Sequence, residues 1–85
     1  DIKSMVEILD SYAKKIIFTE IEYLRSEKSI NLINLSQLND KIENNNYIKA
    51  IKNALKKKKE NEVILITGSL YFISRVRELF MKGEI

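Results

Sequence analysis

The chain has 85 residues and a net charge of +3. This length corresponds to one small domain or to a piece of a larger one. Its composition, 45% hydrophobic and 32% charged, is ordinary for a soluble globular protein, and no apolar run approaches the roughly 20 residues of a membrane span. Cysteine and histidine are both absent, which excludes disulfides, cysteine metal sites and histidine acid–base catalysis. No signal peptide precedes the first predicted element, and the chain begins at Asp1 rather than at methionine, so we expect an excised fragment.

The first elements predicted are a helix and a short strand. Asp1 can cap the helix, and Lys14 and Lys15 are expected in its last turn, where cations are favoured. The apolar residues that recur at helical spacing, and so form the expected buried stripe, are Ile2, Met5, Val6, Leu9, Tyr12 and Ala13. Residues 16–19 then predict a short buried strand.

The segment after this strand predicts a loop, a second helix and a weak strand. Residues 20–27 show no clear period and predict a loop, with Thr19 and Arg25 at its two ends. A short helix is expected through Leu32, Ile33, Leu35 and Leu38. The polar stretch that follows is turn-like, with a brief edge strand at residues 41–43.

The second half predicts a helix and then a fully buried strand. Asn46 can cap the helix, whose inner face is Tyr47, Ala50, Ile51, Ala54 and Leu55. Residues 56–61 end it. Residues 63–66 are four consecutive apolar side chains, three of them β-branched, a pattern typical of a strand covered on both faces in a parallel sheet.

A tight turn at Gly68 and Ser69 separates that strand from the last helix. Glycine can adopt backbone angles closed to other residues, and serine is a good N-cap. From Leu70 the apolar positions recur three or four apart, which predicts a helix. In open α/β sheets ligands bind at the carboxyl ends of strands, so a site in this chain is expected at this turn. A structural turn glycine and an N-cap are the alternative roles.

Helices that alternate with buried strands predict an α/β fold with a parallel sheet. We expect residues 1–85 to form a single partial α/β domain. The strands at residues 16–19 and 63–67 should be parallel, with helices between them in right-handed crossovers. A phosphate loop, a dinucleotide fingerprint and zinc-ligand spacing are all absent, and the acidic residues, such as Glu20, Glu22 and Asp40, show no spacing that pairs two carboxylates.

A run of four lysines, residues 56–59, supplies most of the excess charge. It is either a basic patch for nucleic acid or a solvated helix end, and the second reading is favoured because neither arginine nor an aromatic residue interrupts the run. A small non-catalytic α/β binding or regulatory module is a further alternative. Phosphotransfer and receiver-like modules need a reactive Asp, His or Cys at a strand end, whereas the predicted strand ends here offer Thr19, Thr67 and Gly68.

Two short motifs resemble a known family. Ile64-Leu65-Ile66-Thr67-Gly68-Ser69-Leu70-Tyr71-Phe72-Ile73, followed by Val76-Arg77, resembles the C-terminal signature of bacterial folylpolyglutamate synthase/dihydrofolate synthase. Upstream, Ile17-Phe18-Thr19-Glu20 with the later Arg25 is similar to the second marker of that family, although Leu24 stands where many members have proline. The helix that starts at Asp1 and the alanines at positions 50 and 54 fit the same pattern along the whole chain.

The resemblance implies an incomplete, Rossmann-like C-terminal domain of a cytoplasmic three-domain ligase related to the Mur ligases. Such enzymes use ATP and Mg²⁺ to activate a folate or pteroate carboxylate as an acyl phosphate, which the amino group of glutamate then attacks. The phosphate loop, the magnesium ligands and a D-G-A-H-N motif lie in parts of the family that this sequence lacks. The resemblance therefore implies no activity for this segment alone.

The resemblance also implies roles for three residues. Ser69, Gly68 and Arg25 are expected on the glutamate side of the substrate site, although a loop arginine can equally be a solvated charge. No residue of the chain is expected to be catalytic or to bind a metal. The full-length enzyme is expected to be a monomer that binds small molecules, not nucleic acid or membranes. The segment alone is expected to be marginally stable or to self-associate, because an uncovered strand edge would be exposed.

Overall fold

The computed structural model describes residues 1–22 and 26–85. In chain order its elements are α1 (Ile2–Tyr12), β1 (Ile16–Phe18), α2 (Ser29–Leu35), β2 (Lys41–Glu43), α3 (Tyr47–Lys57) and α4 (Leu70–Met81). Contacts divide the chain into two compact units, Asp1–Ala50 and Ile51–Ile85. None of the helices in the described ranges combines the length and the apolar character that crossing a membrane requires.

Helix α1 begins as the sequence predicts and ends earlier. The backbone N–H of Ser4 donates to the Asp1 carboxylate at 2.8 Å, so Asp1 is the N-cap. The helix ends at Tyr12, and Ala13 already has extended backbone angles, because the chain must reach Ile16 to enter the sheet. Lys14 and Lys15 therefore lie outside the helix, and their predicted position in its last turn is wrong. Of the expected stripe, Val6 is buried, whereas Ile2, Met5 and Tyr12 are exposed.

The sheet of the first unit consists of two parallel strands. Ile16, Ile17 and Phe18 of β1 pair with Lys41, Ile42 and Glu43 of β2. The N–H of Asn44 extends the ladder by donating to the carbonyl of Phe18 at 2.9 Å. Helix α2 connects the strands and ends at Leu35, so Leu38 lies beyond it. The prediction of a parallel α/β arrangement with flanking helices is confirmed, whereas its Rossmann-like character remains a prediction.

Residues 63–67 form no strand with any described residue. The predictions of a buried strand there, and of its parallel crossover connection to residues 16–19, are therefore wrong. Val63 and Leu65 are 92% and 75% exposed, and only Ile64 and Ile66 are partly buried. The apolar run makes the segment suitable for a central strand, but a strand requires neighbouring strands to satisfy its backbone groups. The partner of β1 is instead β2, the segment predicted as a weak edge strand. Self-association of the segment through an uncovered strand edge stays a prediction.

The second unit contains the larger part of α3 and the whole of α4. Lys56 and Lys57 occupy the last turn of α3, as the sequence predicts. Helix α4 ends in a Schellman motif: the N–H of Glu84 donates to the carbonyl of Leu79 at 2.9 Å, and that of Gly83 to Phe80 at 3.1 Å. Gly83 has a φ of +72°, the left-handed conformation that this ending requires. The buried side chains of α4 are Phe72, Val76 and Leu79.

Candidate functional site

The turn at Gly68 and Ser69 forms the N-terminus of α4. Ser69 is the N-cap: its hydroxyl oxygen accepts the N–H of Phe72 at 3.1 Å, and its carbonyl accepts the N–H of Ile73 at 3.0 Å. The capping role expected from the sequence is therefore confirmed. In capping the helix, the hydroxyl oxygen of Ser69 acts only as a hydrogen-bond acceptor. The hydroxyl proton therefore remains available for donation to another group. The positive end of the helix dipole lies at this serine, so the chemistry of the turn suits an anion.

Gly68 allows the backbone to pass close to the first turn of α4. Its φ is +153°, a conformation that residues with a side chain rarely adopt. A Cβ added at this position would lie 3.1 Å from Cδ2 of Phe72. Since Phe72 is a buried side chain of α4, the ring has little freedom to move away. Glycine is thus required here both for its backbone angles and for its small size.

A second polar cluster lies in the first unit, at the carboxyl ends of both strands. Ser29 begins α2 and is completely buried. Its N–H and its hydroxyl lie 2.9 Å and 2.8 Å from Oε1 of Glu20, and the hydroxyl also contacts Oε2 of Glu43. The Lys28 ammonium lies 3.4 Å from the second oxygen of Glu20. A hydroxyl carries one proton, so Ser29 donates to one of the two carboxylates at a time.

The electrostatics of this cluster favour an ionised Glu20. The N–H of Ser29, its hydroxyl and the Lys28 ammonium together hold the pKa of Glu20 below its usual value of 4.5. The side chain of Lys28, at the N-cap position of α2, makes no capping hydrogen bond, so the Glu20 carboxylate takes over that role for the N–H of Ser29. The cluster therefore joins the segment after β1, the start of α2 and the end of β2.

This cluster corrects the expectation that the carboxylates of the chain are scattered. Glu20 and Glu43 are far apart in sequence, yet both contact Ser29 because the carboxyl ends of parallel strands lie at one edge of the sheet. The sequence alone does not show that β1 pairs with β2, so it could not predict that these two carboxylates come together. Next to Glu20, the hydroxyl oxygen of Thr19 is buried and has no hydrogen-bond partner among the described residues. Thr19 follows the last residue of β1 instead of belonging to the strand.

The structure describes two of the three residues that were predicted on the glutamate side. Gly68 and Ser69 are adjacent at the start of α4, as the sequence requires. Arg25 lies outside the described residues. Among the residues that the structure describes, no three Asp or Glu side chains come together in a group that could hold a metal ion. The anion-suited turn of α4 is therefore the candidate site, and the cluster at Ser29 is a structural element of the first unit.

These features define an α/β protein segment with an anion-suited Gly-Ser turn at the N-terminus of a helix. The chain is similar to a dihydrofolate synthase/folylpolyglutamate synthase from Bacillus subtilis (strain 168), with 34% identity over 76 residues. The aligned part is 89% of this chain and 18% of that protein, so the chain spans about a fifth of the relative's length. This similarity confirms the resemblance found in the two motifs. No family model matches the chain. No solved structure matches it either.

Proposed function

We propose that the chain is part of an ATP-dependent ligase that joins L-glutamate to a carboxylate of a folate or pteroate. The 34% identity to the Bacillus subtilis synthase over 89% of the chain carries this proposal. In such a ligase ATP converts the acceptor carboxylate into an acyl phosphate. The amino group of glutamate attacks its acyl carbon, phosphate leaves with the electrons of the C–O bond, and the amine loses a proton.

Within this reaction we assign the turn at Gly68 and Ser69 to the recognition of glutamate. Glutamate brings carboxylates, and the N-terminus of the twelve-residue helix α4 favours negative charge. The Ser69 hydroxyl can cap the helix and donate to a carboxylate at the same time, because the two roles use different parts of the hydroxyl. The N–H of Leu70 has no partner among the described residues and is a second donor beside it. Gly68 lets a ligand approach this backbone closely.

Arg25 is proposed as a further contact to glutamate on the strength of the family pattern alone. An arginine would suit this role because its planar guanidinium can bind a carboxylate through two parallel hydrogen bonds. Its nearest described neighbours in sequence are Glu22 and Ser26, and neither has a positively charged side chain that could bind a carboxylate in its place. The proposal for Arg25 is independent of the one for Ser69.

ATP and Mg²⁺ are assigned to the remainder of the full-length enzyme. The described part of the chain offers no cluster of three acidic side chains, and the sequence contains no phosphate loop. No step of the reaction is therefore assigned to a metal-binding residue of this segment. The segment alone is proposed to be inactive, because it supplies only the glutamate side of the site.

The Ser69→Ala variant of the full-length enzyme tests this proposal. We expect the KM for glutamate to rise roughly tenfold, which corresponds to one hydrogen bond worth about 1.4 kcal/mol. The KM for ATP should change little. Because Ser69 is also a cap, the same variant should lose about 1 kcal/mol of stability. Steady-state kinetics with each substrate varied in turn, together with a denaturation midpoint, measures all three quantities.

Two further variants separate capping from recognition. Ser69→Asp keeps a capping oxygen but places a negative charge against the glutamate carboxylates, so the glutamate KM should rise further while stability is retained. Ser74→Ala makes the same substitution at an exposed position of α4 and should change neither quantity. If Ser69→Ala lowers stability and leaves the glutamate KM unchanged, Ser69 is only a helix cap.

A further inference from the structure

One face of α3 carries lysines that the end of the helix does not explain. Lys49, Lys52 and Lys56 are spaced by three and four residues, so they lie along one side of the helix, and all three are exposed. Lys56 is in the last turn, where the helix dipole favours a cation. Lys49 is in the first turn, where the dipole disfavours a cation, and Lys52 is in the body of the helix, where the dipole gives no such advantage. We call Lys49, Lys52 and Lys56 the lysine face.

The charge of the lysine face is not compensated within the described part of the chain. Helix α3 contains no acidic residue. None of the three ammonium groups forms an ion pair with a described residue; the ion pairs in the structure are made by Lys28, Arg75 and Lys82. Like charges three and four residues apart repel each other along a helix, so this arrangement has a cost that an anionic partner would relieve.

The spacing of the lysines indicates a partner with one negative charge per repeat. At a rise of about 1.5 Å per residue, the three lysines follow one another at about 4.5 and about 6 Å along the helix axis. An extended α-linked residue spans about 3.5 Å, and a γ linkage adds two bonds, so the carboxylates of a γ-linked glutamate chain recur at roughly 6 Å. Each lysine can therefore face one carboxylate of such a chain.

Nucleic acid, the other common polyanion with a regular repeat, fits less well. Proteins that bind single strands place aromatic or arginine side chains where bases can stack. The lysine face has neither, and the one aromatic residue of α3, Tyr47, is partly buried at its start. Lysine acts as a point charge, which suits the isolated carboxylates of a glutamate chain.

We propose that the lysine face binds the poly-γ-glutamate tail of a folate substrate. This inference rests on the proposed function and goes beyond it, because it concerns the glutamates already attached and not the incoming one. The interaction is electrostatic and lies in solvent. It therefore strengthens with the number of glutamates on the substrate and weakens as salt is added.

The test compares folates that carry one and four γ-linked glutamates as substrates of the full-length enzyme. The double variant Lys52→Gln/Lys56→Gln should raise the KM for the tetraglutamate about fivefold at low salt and change that for the monoglutamate by less than about twofold. Raising the salt to about 0.5 M should remove most of the difference between wild type and variant. The matched control, Lys14→Gln/Lys15→Gln, removes two exposed lysines outside the helices and should leave both constants unchanged.

Each outcome separates this inference from the proposed function. Absence of ATP- and glutamate-dependent turnover of the monoglutamate in the wild-type enzyme would refute the proposed function. Normal monoglutamate turnover, with a tetraglutamate KM that the double variant does not raise, would overturn the lysine-face proposal alone. An equal rise for both substrates would also overturn it, because the effect would not depend on the tail. Competition by oligothymidylate at lower concentration than by tetra-γ-glutamate would assign the face to nucleic acid instead.

Discussion

The polar bonds within the two units differ in how far apart in sequence the bonded residues are. In Asp1–Ala50, Ser29 joins carboxylates from two other segments, and the Asp10 carboxylate accepts the hydroxyl of Ser36 at 2.6 Å and the N–H of Gln37 at 2.7 Å. In Ile51–Ile85, the caps and ion pairs of α4 join residues only three to five positions apart. The first unit thus uses buried polar groups to fix how its elements meet.

In the second unit the buried side chains of α4 are apolar. Local caps and ion pairs stabilise a helix by itself but cannot determine what it packs against. The apolar face of α4 that is removed from solvent consists of Phe72, Val76 and Leu79. The first unit also buries apolar side chains, among them Val6 and Phe18. The comparison therefore indicates that polar substitutions should act on tertiary structure in the first unit more than in the second.

The largest expected effect is that of Leu79→Ala. Leu79 is 2% exposed, so truncating it leaves a cavity, and the free energy of unfolding should fall by about 2–5 kcal/mol. The matched control is Leu65→Ala in the extended segment, where the side chain is 75% exposed and the change should stay within about 0.5 kcal/mol. Urea denaturation followed by circular dichroism measures both. Equal losses would show that residues 63–67 are packed, against the structure.

Ser29→Ala is expected to have the next largest effect. It removes the hydroxyl that contacts both Glu20 and Glu43 while leaving the backbone N–H in place. Because the Glu20 carboxylate is partly buried, losing this donor makes the folded state less favourable, and we expect a loss of about 1–3 kcal/mol. Ser11→Ala is the control, because the Ser11 hydroxyl is exposed and bonds only to the carbonyl of Ile8 in its own helix. A loss no larger than that of the control would mean that the cluster does not hold the first unit together.

The sequence predicted the features that depend on neighbouring residues. Asp1, Asn46 and Ser69 were expected as caps, and each one accepts the backbone N–H three residues further on. The helix bodies followed from apolar periodicity in the same way. These predictions succeed because a cap and a helical face are determined within a few residues of sequence.

The sequence did not predict what depends on distant partners. Residues 63–67 have the composition of a strand, but strand formation depends on a neighbour that sequence periodicity cannot identify. The short polar segment Lys41–Glu43 forms a strand because it pairs with β1. The contact between Glu20 and Glu43 through Ser29 follows from that pairing, so it could not be foreseen before the pairing was known. The proposal that Ser69 contacts glutamate came from the family resemblance, and the structure adds the capping geometry of Ser69.

The smallest expected effect is on the pH dependence of stability, through Glu20. Its pKa is lowered chiefly by the N–H of Ser29, then by the hydroxyl of Ser29 and the Lys28 ammonium. The unfolded chain therefore binds this proton more readily than the folded one. The stability that Glu20 contributes is fully present above its unfolded value of 4.5 and is lost as the pH falls through the lower pKa of the folded state.

Glu20→Gln isolates this contribution, because an amide oxygen can still accept from Ser29 but does not titrate. We expect the urea midpoint of the wild type to fall between about pH 6 and about pH 3, and the variant to fall less over the same range. Glu78, whose pKa is lowered by Lys82 and Arg75, contributes in the same direction to both proteins and cancels in the comparison. Glu7→Gln removes an exposed carboxylate of α1 and controls for the change in net charge. Parallel pH profiles for the wild type and Glu20→Gln would show that the hydrogen bonds of Ser29 do not favour an ionised Glu20. The charge of Glu20 would then make no contribution to the stability of the first unit.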